Sequence, residues 1–263
     1  MNYAKVISEA FSVKEEYVQN IISLLDEGNT IPFIARYRKE MHGTMDDQKI
    51  REISDKLTYL RNLDARREEV RKLIEQQEQL TDEISASLDK AATLAEIEDI
   101  YRPFRPKRKT RASVAKAKGF GPLADEILLG QKSNLVPLEL AAKYVDAEKG
   151  VENAEEALQG AQDIIAETVS DNAEVRKRVR NIVFLNAVLR STGAKDELGV
   201  YEMYGDFSQP VSKIAGHRVL AVNRGEKEGF LKVSIDIDDT LPLNALNKLY
   251  VQGSSPCAEA VTA

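Results

Sequence analysis

The run Asp236-Ile-Asp-Asp-Thr240 has residue types and spacing that could do covalent chemistry. In a DxDxT pattern the first aspartate can attack phosphorus, the second can act as acid and base, and both can hold magnesium. The run follows a predicted strand, as that chemistry requires. Such a site also needs a whole α/β domain behind it to supply the other metal and phosphate ligands, and 23 residues follow Thr240. The run therefore reads as a strand end with solvated acids. His42 and His217 lie far apart and neither has metal-ligand spacing. His217, beside Arg218, suits a capping or core-edge position. Cys257 is the single cysteine, so an internal disulfide and a CxxC site are excluded, and it reads as a small buried residue. The phosphate-cradling patterns GxxxxGK[ST] and GxGxxG do not occur. The expectation is a chain that is not an enzyme and takes no cofactor.

The remaining chemical signal is electrostatic. Between Asp99 and Asp125 there is no acidic residue, and the interval holds Arg102, Arg105, Lys107, Arg108, Lys109, Arg111, Lys116 and Lys118. The chain as a whole carries a formal charge of −6, so this is a local inversion of sign. A patch of that kind concentrates polyanions and can neutralise several phosphates. Pro103 and Pro106 remove two backbone donors and push the residues before them out of the helical region, so the run is expected to start extended. Two readings stay open. The segment is either a ribbon that follows a phosphate backbone or a strap that pins helices through ion pairs. Tyr101, Phe104 and Phe120 interleave with the cations and could stack on bases, although aromatic residues beside helices are more often core. Arg36, Arg38 and Lys39 form a second, smaller basic group, read as a solvated helix face with an ion pair to Glu40.

The elements around these residues are mainly helical. At 263 residues, 43% hydrophobic and 30% charged, the chain has the composition of a soluble protein rich in amphipathic helix. It has no apolar run near the roughly 18 residues needed to cross a bilayer. Its start lacks a basic region followed by an apolar one, so a cytoplasmic location is expected. Helices are predicted over 3–11, from a Ser12 cap to about Leu25, after Thr30, from Thr44–Asp47 to about Gln79, over 82–91 and over 94–101. Ile31, Phe33, Ile34 and Tyr37 read as core. The charged middle of the long helix, Asp64-Ala-Arg-Arg-Glu-Glu, reads as solvated surface. Ala112–Leu129, two short helices joined by a turn at Gly119, has the size of a helix-turn-helix unit. Further helices are predicted after Pro137, from Asn153 to about Val169, and from Asp171 to about Arg190. Val175, Val179, Ile182, Val183, Leu185 and Val188 read as the buried side of the last. Beyond Gly193 the texture turns aromatic and β-branched, and Gly229–Ile237 alternates as a strand. This divides the chain into a helical portion, 1–192, and a mixed portion, 193–263, which stops about two turns into a helix begun at Ser255-Pro256 and reads as a fragment.

Several stretches, in order and spanning nearly the whole chain, resemble the Tex family of bacterial transcription accessory proteins. They are Thr30-Ile-Pro-Phe-Ile-Ala-Arg-Tyr-Arg-Lys-Glu, Leu57-Thr-Tyr-Leu-Arg-Asn-Leu, Asp99-Ile-Tyr-Arg-Pro-Phe-Arg-Pro-Lys-Arg-Lys-Thr-Arg-Ala, Ser212-Lys-Ile-Ala-Gly-His-Arg-Val-Leu-Ala-Val-Asn-Arg-Gly-Glu-Lys-Glu-Gly and Ser255-Pro-Cys-Ala-Glu. The resemblance implies a mainly α, interwoven multi-helix array with a helix-turn-helix-like unit and a small β element near the C-terminal end. In the family this array precedes an RNase-H-like YqgF domain, helix-hairpin-helix modules and an OB-fold RNA-binding domain, which carry the family's best-supported nucleic-acid contacts and have no counterpart in this sequence. The resemblance further implies a nucleic-acid-binding scaffold, with RNA or DNA and the transcription machinery as partners. The residues expected to meet phosphate are the eight cations Arg102 to Lys118. The alternative is a purely structural module that docks downstream domains without touching nucleic acid.

Overall fold

The computed structural model describes residues 2–106 and 109–263. The described chain is mainly helical and falls into two units, Met1–Phe104 and Arg105–Ala263. The change of texture near Gly193 lies inside the second unit, at the end of its first strand.

The first unit holds α1 (Tyr3–Phe11), α2 (Glu15–Asp26), α3 (Ile31–Tyr37), α4 (Lys39–His42), α5 (Asp47–Glu75), α6 (Asp82–Lys90) and α7 (Leu94–Tyr101). Its axis is α5, on which Ile50, Ile53, Leu57, Leu60, Leu63, Arg67, Val70 and Ile74 repeat at three- and four-residue intervals and are all buried. That period places them on one stripe, against which Ile7, Val18, Ile21, Ile34, Leu88 and Ile97 close the core. Oxygen caps set several starts: Thr81 and Thr93 accept from the amides of Ile84 and Glu96. Two caps fall elsewhere than predicted. Ser12 does not cap α2 but ends α1 in the left-handed region at φ 54°, and Thr44 is also left-handed, so Asp46 caps α5 by accepting from the Lys49 amide at 2.8 Å.

The charged middle of α5 is solvated surface only in part: Ala65, Glu68 and Glu69 are exposed, whereas Arg67 is buried. Arg67 is 6% exposed. Its Nε and Nη2 donate to the Leu88 and Ala91 carbonyls, each at 2.8 Å, and its Nη1 donates to Asp64. It thus satisfies the carbonyls at the end of α6, a position where a helix leaves acceptors unmatched and favours a cation. Arg66 bridges to Glu98 at 2.6 Å and to Glu69 at 2.8 Å.

The second unit begins with α8 (Arg111–Ala117), α9 (Gly121–Leu129) and α10 (Pro137–Ala142), which pack on the long α11 (Ala154–Asp171). Phe120, Leu123, Ile127, Leu140, Ala157, Ala161 and Ile165 are buried there. Next comes α12 (Ala173–Asn186), capped by Asn172 rather than Asp171. Its predicted apolar side is not a buried side: only Val175 on the helix is buried and Leu185 is 67% exposed. The helix also stops earlier than predicted. Ala187 turns extended, and Val188–Gly193 forms β1. β2 (Asp206–Pro210) and β3 (Leu231–Asp236) pair antiparallel on either side of β1, with Arg190 opposite Ser208 and Ser234. Between them lies α13 (Gly216–Lys227), and His217 is exposed in its first turn rather than at a core edge. α14 (Thr240–Tyr250) and α15 (Pro256–Thr262) then carry the chain back to α9. Gln131 latches that return: its side chain donates to the Tyr250 carbonyl at 2.9 Å and accepts from the Gln252 amide at 2.8 Å. Cys257 is fully buried there, and burial pushes its thiol pKa up.

Candidate nucleic-acid interface

The eight predicted cations do not share one environment. Arg102 lies in a 3-10 turn, Arg102–Phe104, that ends the first unit, and Arg105 opens the second; both are exposed. Lys107 and Arg108 lie outside the described residues. Lys109 is exposed and makes no ion pair among the described residues. The other three are held by α11. Arg111 lies 3.5 Å from Asp163, Lys116 3.1 Å from Glu167, and Lys118 2.5 Å from Glu156, with a further 2.8 Å bond from Lys118 to the Gly150 carbonyl.

The sequence of α11 explains this arrangement. Glu156, Gly160, Asp163 and Glu167 recur at intervals of four, three and four, so they fall on one face. Gly160 lets α8 approach: a Cβ there would run into the Phe120 ring and meet the Ala115 Cβ at 3.2 Å. The acids on either side of that contact meet the cations of α8. Thr110 fixes the start of α8 through a reciprocal capping box with Ser113, and its hydroxyl donates to Glu167 at 3.0 Å. The Lys118 ammonium, together with the Glu152 amide, holds the Glu156 carboxyl below the usual glutamate range. Between α8 and α11 lies a groove of about 490 Å³ whose lining includes Lys109, Arg111, Lys118, Glu156 and Asp163. Its rim therefore carries both signs.

The aromatic residues interleaved with the basic run are core, the commoner of the two readings, and not a stacking surface. Tyr101 and Phe120 are buried in the cores and Phe104 packs against one. Phe33 and Tyr37, predicted core, are 36% and 58% exposed, while Ile34 between them is fully buried. Their rings lie 5.3 Å apart at 44°, and the Arg38 guanidinium sits 5.5 Å from the Phe33 centroid. The expected ion pair to Glu40 is not formed among the described residues.

The acidic strand end is also accounted for locally. Asp236 pairs with Arg190 at 2.9 Å, and Asp238 accepts from the Thr240 hydroxyl at 2.7 Å and its amide at 3.0 Å. Those Thr240 bonds lower the Asp238 pKa. His42 is fully buried, with Nε2 3.1 Å from the Ile34 carbonyl. Among the described residues no group of three or more His, Cys, Asp or Glu side chains is placed to hold a metal ion, and no helix is long and apolar enough to cross a membrane.

Comparison with known families finds matches on either side of the basic segment. Residues 1–75 match the family model for the Tex-like protein N-terminal domain, and residues 132–262 match the Tex central region-like model. The chain belongs to the Tex family. Among relatives of this Tex-family chain, the YdcI protein of Bacillus subtilis (strain 168) is 46% identical over 235 residues, covering 88% of the chain and 32% of that protein. The transcriptional accessory protein Tex of Neisseria gonorrhoeae is 36% identical over 246 residues, covering 91% and 32%. The S1 RNA-binding domain-containing protein 1 of Homo sapiens is 27% identical over 245 residues, covering 89% and 24%. The chain thus spans about a third of the length of its bacterial relatives. The two family models leave residues 76–131 between them, the interval that contains the whole basic segment.

Proposed function

We propose that this Tex-family chain is a non-catalytic, nucleic-acid-binding scaffold region of a cytoplasmic transcription accessory protein, working alongside the transcription machinery. The names of its relatives, a transcriptional accessory protein and an S1 RNA-binding domain-containing protein, support the nucleic-acid role. Phosphates are met by the cations of residues 102–118, with labour divided along the segment. The observation that carries this division is the set of contacts from Arg111, Lys116 and Lys118 to one face of α11. These three serve chiefly as a strap that holds α8 in place, while Lys109, exposed and without an ion pair among the described residues, leads the phosphate contact, with Arg102, Arg105, Lys107 and Arg108 beside it. Contact with phosphates rather than base edges would be sequence-tolerant and strongly salt-dependent.

The test is a fluorescence titration of labelled RNA and DNA oligonucleotides at two salt levels. The expected result is affinity that falls steeply with salt and drops when Arg105, Lys107, Arg108 and Lys109 are all changed to Ala. A flat salt response, or unchanged binding by that variant, removes the reading. The same three ion pairs also favour the purely structural alternative, in which the segment docks helices and meets no nucleic acid. That alternative requires no oligonucleotide binding at either salt level.

A further inference from the structure

We infer that the exposed face of α3 is a stacking site for single-stranded nucleic acid, formed by Phe33 and Tyr37 and flanked by Arg36, Arg38 and Lys39. The inference concerns a different site from the basic segment and does not rest on it.

Phe33 and Tyr37 stand one helical turn apart, so their rings share a flank of α3, and they remain 36% and 58% exposed. An aromatic pair open to water on a helix whose Ile34 is fully buried is not there to fill the core. The rings are tilted at 44° and form a corner rather than a closed stack, and Tyr37 remains 58% exposed, so a planar group can reach it. Arg38 already lies 5.5 Å from the Phe33 centroid, so one ring carries a cation while its neighbour is open. Arg36, Arg38 and Lys39 are exposed, none is in an ion pair among the described residues, and Glu40 is the only acid between Glu27 and Asp46. Flat aromatic surface within a few residues of three unneutralised cations fits a ligand that alternates planar rings with negative charges. A single strand has that chemistry, because its bases are free to leave their own stack and every base offers a π-face. A duplex hides those faces and presents only phosphates.

The 263-residue chain is titrated with a fluorescein-labelled single-stranded RNA and with a duplex of the same length. In the Phe33→Leu/Tyr37→Leu variant, apolar bulk is retained and the flat rings are lost. Its single-strand affinity should fall about tenfold or more, with the salt slope and the duplex affinity unchanged. The Phe33→Tyr/Tyr37→Phe exchange keeps both rings and should keep the affinity. Single-strand binding by the double leucine variant equal to that of the parent chain overturns the inference, as does absence of oligonucleotide binding by the parent. Running the Arg105, Lys107, Arg108, Lys109 to Ala variant in parallel separates this site from the basic segment. Loss confined to that variant sinks the stacking site and leaves the segment standing, and loss confined to the leucine variant does the reverse.

Discussion

Replacing Arg67 by alanine should be among the most destabilising single changes in the first unit. The guanidinium makes bonds of 2.8 Å to the Leu88 and Ala91 carbonyls and pairs with Asp64, all at a residue that is 6% exposed. Truncation leaves two helix-terminal carbonyls without their donor and Asp64, whose side chain is 20% exposed, without its cation. The Tyr3 hydroxyl would still donate to Asp64 at 2.8 Å, which limits the damage on that side. Breaking a buried pair by removing one partner costs about 3–5 kcal/mol. Two charged-donor bonds alone, at about 1.5–3 kcal/mol each, give a similar figure, and since these are one interaction counted two ways the expected loss is about 4 kcal/mol. The change is read by urea unfolding followed by circular dichroism, with amide exchange mapped onto 82–91 to localise the loss. Arg61→Ala is the control, because its bidentate pair with Asp26 joins side chains that are 43% and 48% exposed and should be worth about 1 kcal/mol or less. Arg67→Lys keeps the charge without the planar fork and should still lose about half of the effect. If Arg67→Ala costs no more than Arg61→Ala, the argument from burial is wrong.

In the second unit, Gly160→Ala should destabilise by about 1–3 kcal/mol, measured as a lowered melting temperature, because the new methyl meets the Phe120 ring and the Ala115 Cβ. A neutral result, or a gain from the better helix former, would show that α8 can move away from α11 at little cost. The Lys118–Glu156 pair makes the hold on α8 sensitive to acid. With Glu156 below its ordinary value in the folded chain, its contribution is complete above the unfolded glutamate pKa of about 4.3 and is lost as pH falls through the lower folded value. Exchange protection of the α8 amides, corrected for intrinsic rate, should therefore drop between about pH 5 and pH 3, and Lys118→Ala should flatten that part of the profile. An identical profile in the variant would deny the pair this role.

What the sequence made legible was governed by local rules. Thr81, Thr93, Asn153 and Ser255 each cap the helix predicted for them, because an oxygen at that position satisfies an amide three residues on. The long α5 stripe was legible because eight turns of one period leave little room for another reading. Failures came where the deciding partner lies far along the chain. Arg67 looks solvated within Asp64-Ala-Arg-Arg-Glu-Glu, since the carbonyls that bury it belong to residues 88 and 91. β1 looks like the tail of α12, since its identity comes from pairing with Asp206–Pro210 and Leu231–Asp236. Phe33 and Tyr37 read as core with Ile34 because α3 has only seven residues, and over two turns nearly any apolar set can be drawn as a stripe. The aromatic residues beside the basic run follow the commoner rule and are core. Stacking on bases was the alternative that proximity to the cations allows, and Phe120 instead fills the close approach of α8 to α11 while Tyr101 closes the first core.

The division of labour in the basic segment has a numerical consequence. On single strands, log affinity falls against log salt with a slope of about 0.7 for each phosphate neutralised, and on duplex DNA about 0.9. If all eight cations were released to a single strand, the slope would approach about 5 to 6. With Arg111, Lys116 and Lys118 kept on α11, at most five of the eight remain for phosphate, and the basic segment's own share of the slope cannot exceed about 3 to 4. Releasing the three is unfavourable twice over. Each would abandon a carboxylate, and Asp163 and Glu167, whose side chains are only 14% and 15% exposed, would be left facing a polyanion without their cations. A slope near the larger figure in a variant with Arg36, Arg38 and Lys39 all changed to Ala would mean that α8 leaves α11 on binding, and amide exchange over Arg111–Ala117 should then rise in the complex. A slope near the smaller figure with unchanged α8 protection is the result the ion pairs require.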